Sequence, residues 1–136
     1  MKYGGMLACL LGAGLAYPQQ PTIKQLMLDL VHPAANDILL IINRGGPADE
    51  KEWAGVRRSA LTLAETGDRL GTRGPDRGDW VKDSKLLSDA GTAAYRAAQS
   101  KDAKALAALA DSLDASCTTC HKQYRPSVFP REGGSK

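Results

Sequence analysis

A chain of 136 residues, with 5% aromatic side chains and a formal charge of +3, has room for one domain with a modest core. So mild a charge, without a concentrated basic face, argues against a nucleic-acid binder. Ala and Leu dominate long stretches, which favours close helix packing over strands.

The opening "MKYGGMLACLLGAGLA" reads as an export signal. Lys2 supplies the positive start, residues 4–15 the short apolar run, and Gly14-Leu15-Ala16 a small-residue cleavage site. The chain thus divides into a signal peptide, 1–16, and a single domain, 17–136. A frayed apolar N-terminus of a cytosolic protein is the competing reading. Cys9 raises lipid attachment, which the apolar run continuing past it disfavours. The run is too short to span a bilayer and no later segment is read as long enough, so no transmembrane helix is expected. Cleavage would leave Cys117 and Cys120 as the two cysteines, fit for one disulfide or one cofactor attachment.

Four helices and no strand are predicted. The first starts at Thr22, an N-cap, and runs to about Arg44, ended by Gly45-Gly46-Pro47. Ile23, Met27, Leu30, Val31, Ala34, Ile38 and Ile41 keep helical spacing along it. Pro33, in its middle, should kink it. The run "DILLII", 37–42, is apolar on more than one face, so part of it must meet another surface. A homodimer through this helix is the economical account; the loop at 71–78 or the tail with Phe129 are the other covers.

The second helix is predicted from about Asp49 to Leu70, aligning Trp53, Val56, Ala60, Leu63 and Ala64, with Gly71 as its stop. "GTRGPDRG", 71–78, reads as a loop. Asp79 then caps a third helix to about Gln99, aligning Trp80, Leu87, Ala90, Ala94 and Ala97. The fourth runs from about Asp102 to Tyr124, and Pro126 prevents its continuing. Four amphipathic helices with short connections make the expected class all-α, an antiparallel four-helix bundle.

The chemistry gathers in "SCTTCHKQYRP", 116–126. Two cysteines three apart, with a histidine directly after the second, are the pattern for covalently attached haem. Leu106, Ala110, Leu113, Cys117, Cys120, His121 and Tyr124 step by three or four and share the apolar face, which aims both thiols and the imidazole into the bundle. A haem in that core can take thioether links from Cys117 and Cys120 while His121 binds its iron. Three rivals use the same residues. A redox dithiol would follow a strand, and none is predicted. A zinc site of Cys117, Cys120, His121 and His32 asks sequence neighbours that diverge on a helix to share one ion. A disulfide within one helical turn strains the backbone.

Cys117-Thr-Thr-Cys120-His121-Lys-Gln-Tyr124-Arg125, near the end of a four-helix pattern, resembles the cytochromes c′ and their low-spin relatives, the class II c-type cytochromes. Asp79-Trp80 opening the third helix and "IKQLM" opening the first are similar too, and the resemblance runs from about Pro21 to Arg125. It implies a periplasmic monohaem protein, often a dimer, that transfers one electron or binds diatomic gases such as nitric oxide. Haem c would be its cofactor and periplasmic redox proteins its partners. By this resemblance Cys117 and Cys120 carry the thioethers, His121 is the proximal ligand, and Arg125 lies beside the exposed side of the haem. Tyr124 would belong to the haem surroundings or simply pack the helix end.

No methionine follows Cys120, so the ligand on the far side of the iron must come from upstream. After export one methionine remains, Met27, and one other histidine, His32. Stepping by 100° per residue puts Met27 mid-stripe and His32 well off it. Met27 is therefore the candidate sixth ligand, giving low-spin iron, with core filling as its bland alternative. Leu28 would be the apolar block of a high-spin, gas-binding site if Lys24-Gln25 aligns with the Arg-Gln of those members. Lys24 itself could reach a haem propionate or simply stay solvated. No acid–base pair has suggestive spacing, and no enzyme activity is expected.

Overall fold

The computed structural model describes residues 19–128; the predicted export signal, 1–16, and Phe129 lie outside the described residues. Among the described residues the elements are all helical. Helix α1 spans Ile23–Asn43, α2 Glu50–Arg73 and α3 Trp80–Gln99, and the fourth limb comes in two pieces, α4 (Ala103–Ala107) and α5 (Ala110–Tyr124).

The predicted starts at Thr22, Asp49 and Asp102 are made by their side chains. The Thr22 hydroxyl accepts the Gln25 N–H while the Gln25 side chain accepts the Thr22 N–H at 2.8 Å, a reciprocal capping box. Asp49 accepts the Glu52 N–H at 2.9 Å and Asp102 the Ala105 N–H at 2.8 Å. Asp79 occupies the N-cap position of α3 without making a cap hydrogen bond, contrary to expectation. What fixes that end is Trp80, whose indole N–H donates to the Leu70 carbonyl at 2.7 Å. Gly71 does not stop α2, which runs on to Arg73. The stop is Gly74, where a Cβ would collide with the Trp80 indole.

Neighbouring limbs run antiparallel. Ser59 of α2 donates to Asp37 of α1 at 3.1 Å, and Arg73 near the other end of α2 reaches back to the Pro21 carbonyl at 2.7 Å. Gly67 of α2 packs against Ser88 of α3, and Gly91 against Ala64, so tightly that a Cβ on either would strike the partner backbone. At the far end the rings of Trp80 and Tyr124 meet edge to face, 4.9 Å between centres. The fourth limb is not one continuous helix: the Leu109 N–H turns to Leu106, only three residues back, before α5 begins. Leu106 and Leu113 stay fully buried on either side of that turn. Four helical limbs therefore pack together around one core.

Within α1 the chain passes Pro33 in an unexpected way. The disturbance lies one turn earlier, where Met27–Val31 form a π turn and the His32 N–H bonds to the Met27 carbonyl, five residues back. Widening that turn lets the helix continue past a proline that has no N–H to give. It also resets the phase: Leu26 and Val31, five apart, are both buried, and Ala34, Ala35 and Ile38 follow on the same face. By length and composition α1 is also long and apolar enough to cross a membrane, contrary to the expectation that no segment after the export signal is. That property coexists with an inner face packed on α2.

Candidate cofactor site

The α5 backbone turns Cys117, Cys120 and His121 toward α1 and α3, leaving all three half-buried. They line one cavity together with Met27 and Val31 from the two ends of the π turn, Leu70 from α2, and Trp80, Asp83 and Ser84 from α3. Its volume is about 30 Å³. Two wider clefts adjoin it and share Met27 and His121 with it. One, about 230 Å³, reaches Arg77, Tyr124 and Arg125. The other, about 460 Å³, reaches Lys24, Leu28 and Arg125.

The structure thus brings Met27 and His121, from opposite limbs, onto the same walls. Leu28 stands elsewhere: it is 58% exposed and touches only the outermost cleft. Arg125 and Lys24 are exposed at the mouth. Tyr124 donates its hydroxyl to the Arg77 carbonyl at 2.9 Å, tying the end of α5 to the loop before α3. That loop turns at Gly78, whose φ of +60° suits glycine and whose missing side chain makes room for Gln123 and Tyr124. His32 is exposed and sits beside Asn36, away from the cavity, so the four ligands of the zinc alternative are not assembled.

Burial sets the protonation of the site. It pushes the Cys120 thiol up to about 11, helped by the nearby Asp83 carboxylate, and raises Cys117 as well. Protonated, half-buried thiols are poorly suited to disulfide exchange, which needs a thiolate. Burial lowers the His121 pKa and the Arg125 guanidinium lowers it further. The imidazole is then neutral at neutral pH, the form that binds a metal.

Two residues of the cavity escaped the sequence reading. Asp83 and Ser84 are only 3% and 4% exposed, and Asp83 Oδ2 and Ser84 Oγ have no hydrogen-bond partner. Their signal was present: Asp83 lies three residues after Trp80 and four before Leu87, on the stripe assigned to the core.

Thiols, an imidazole and a thioether are side-chain types that can hold a haem. Two thiols on one helix face stand beside a neutral imidazole, Met27 lines the same cavity from α1, and Lys24, Arg77 and Arg125 line the adjoining clefts. Comparison with family models, with curated proteins and with solved structures finds no match.

Proposed function

We propose that this chain is an exported monohaem c-type cytochrome of the cytochrome c′ kind, not an enzyme, which carries one electron at a time between redox proteins of the periplasm. The observation that carries this reading is the meeting of Met27 and His121 on shared walls, with Cys117 and Cys120 beside them. When bound, haem c supplies an iron centre that gains or loses a single electron. Cys117 and Cys120 would hold it by thioether bonds, and His121 would donate its ring nitrogen to the iron. Met27, which lines the same cavity, would offer a thioether sulfur as a further ligand. Trp80 and Leu70 would help exclude water from the haem, and Lys24, Arg77 and Arg125 would offer positive charge to its propionates.

The visible spectrum of the exported protein tests the reading. A low-spin spectrum with a methionine–iron charge-transfer band, lost in Met27→Ala, is the expected result. Absence of covalently bound haem on the denatured chain overturns it. The cleft of about 460 Å³ beside Met27 and His121 favours a second reading, in which the iron stays five-coordinate and binds nitric oxide or carbon monoxide. A high-spin spectrum unchanged by Met27→Ala would select it.

A second copy of the chain is the proposed partner of α1. Leu40 is 66% exposed, and Leu39, Ile41 and Ile42 are only half-buried around it. Sedimentation of Leu40→Glu against the unaltered protein tests the pairing, a dimer converting to monomer being the expected change.

A further inference from the structure

Three apolar residues in a row, Leu26, Met27 and Leu28, lead into the π turn of α1 and end in three different places. Leu26 is 1% exposed in the core, Met27 is half-buried on the cavity wall, and Leu28 is 58% exposed. The turn decides which residue takes which place. A π turn holds one residue more than an α turn. Closing it would shift the chain before it by one position, about 100° and about 1.5 Å, against the stretch from Val31 onward. Met27 would then occupy the core place of Leu26, four residues before Val31. Leu28 would occupy the wall place of Met27, and Leu26 the exposed place of Gln25.

Either register buries one of the three, sets one on the wall and exposes one. Leucine and methionine differ little in size, so packing alone separates the registers weakly. Pro33 separates them strongly. In a regular α-helix its ring would strike the carbonyl of Asp29, and that carbonyl would find no N–H at residue 33. The π turn opens the backbone at that level, where the His32 N–H goes to the Met27 carbonyl instead. A second hold lies on the near side of the turn. Arg73 of α2 donates to the Pro21 carbonyl at 2.7 Å, a grip that the other register would displace by one residue.

We propose that residues 26–31 form a two-register element, and that Pro33 is the positioning residue that keeps Met27, and not Leu28, on the cavity wall. What the choice means for a bound group rests on the cofactor reading above. One register offers the space a thioether sulfur, a metal ligand; the other offers a leucine, which cannot bind a metal. The identity of the side chain at the wall is thus set six residues away, by a proline that does not line the cavity.

Hydroxyl-radical labelling of the full chain, read residue by residue by mass spectrometry, tests the register without any cofactor. In the unaltered protein Leu28 should label strongly and Leu26 hardly at all. Pro33→Ala removes the ring and restores an N–H. It should raise Leu26 labelling several-fold while Met27 labelling falls several-fold. Deleting Asp29 from the Pro33→Ala chain takes out the extra residue of the turn and should return both to the original pattern. Unchanged labelling in Pro33→Ala overturns the proposal. Should Pro33→Ala loosen the fold instead, raising both residues together, the deletion decides: recovery of the pattern supports the two registers, and its failure overturns them. Where the unaltered protein shows a methionine–iron band, that band should vanish in Pro33→Ala and return on deletion of Asp29. A band that survives Pro33→Ala overturns the register proposal and leaves the cofactor reading standing. A chain without covalent haem overturns the cofactor reading, and the labelling pattern still decides the register.

Discussion

The seam between α2 and α3 and the facing surfaces of α1 and α5 are built on opposite plans. Along the first, Gly67 and Gly91 remove the side chains that would hold the backbones apart, and Val56, Ala60, Leu63, Ala94 and Ala98 are fully or almost fully buried. Across the second, Met27, Cys117, Cys120 and His121 are half-buried around adjoining cavities. The closest-packed pair of helices thus carries structure, and the pair that meets across open space carries the reactive groups. Leu70, Trp80 and Asp83 connect the two plans, since the rigid seam supplies the back wall of the site. A loose site on a tight scaffold can change its contents without repacking the core.

Substitutions on the two sides should therefore fail in different ways. On the proposed cytochrome reading, the largest effect is expected from replacing Cys117 and Cys120 with Ser, which should abolish covalent haem attachment, read by haem staining of the denatured chain. Next comes the seam. Gly67→Ala should lower stability by roughly 1–3 kcal/mol, because its Cβ would sit 2.5 Å from the Ser88 nitrogen and the helices must part. Denaturant unfolding should show this loss in the Cys-to-Ser protein too, if scaffold and site are as separate as their packing suggests. Gly71, one turn further along α2, sharpens the point by reversing the sign. A Cβ there would meet the Ser84 Cβ at 3.7 Å, an ordinary contact. Gly71→Ala should raise stability by roughly 0.5–1 kcal/mol through the lower entropy of the unfolded chain.

Much of the scaffold was legible because it depends on local chemistry. Thr22, Asp49 and Asp102 announce helix starts through oxygen atoms that satisfy nearby N–H groups. The α2 and α3 stripes were read correctly because no irregular turn disturbs their phase. The misses arise where a distant residue decides. Gly71 looked like a stop, yet the helix ends only where the Trp80 indole occupies the space beside Gly74. Pro33 signalled trouble in α1, but nothing local says that a π turn will absorb it at Met27–Val31 and bring Leu26 onto the buried face. The shared half-buried face of Cys117, Cys120 and His121 was readable from α5 spacing, and the stripe position of Met27 puts it on the wall of the same cavity. Asp83 was overlooked because an acid four residues before a leucine resembles any solvated helix position until burial is known.

Asp83 also gives the smallest and most discriminating prediction, one that needs only folding measurements. Its folded-state pKa is raised, by burial first and by Asp79 second. The native state therefore holds a proton more tightly than the unfolded chain does, and stability falls as pH rises from the unfolded value, about 3.9, toward the folded one. Above both values the penalty is constant. Asp83→Asn removes the titrating group, so the decline across that window should flatten, and the variant should gain stability relative to the unaltered protein on the alkaline side. Glu50 supplies the opposite sign on the exposed end of α2, where Lys101 and then Arg57 hold its pKa down. Its contribution is present above the unfolded value and lost as pH falls through the folded one. Solvent screening keeps that contribution small. Unfolding midpoints of Asp83→Asn and Glu50→Gln, followed through acid pH, should therefore diverge from the unaltered protein in opposite directions. Parallel curves would mean that Asp83 is not held in a dry wall, and would remove the contrast between the open site and the sealed seam at the residue where they join.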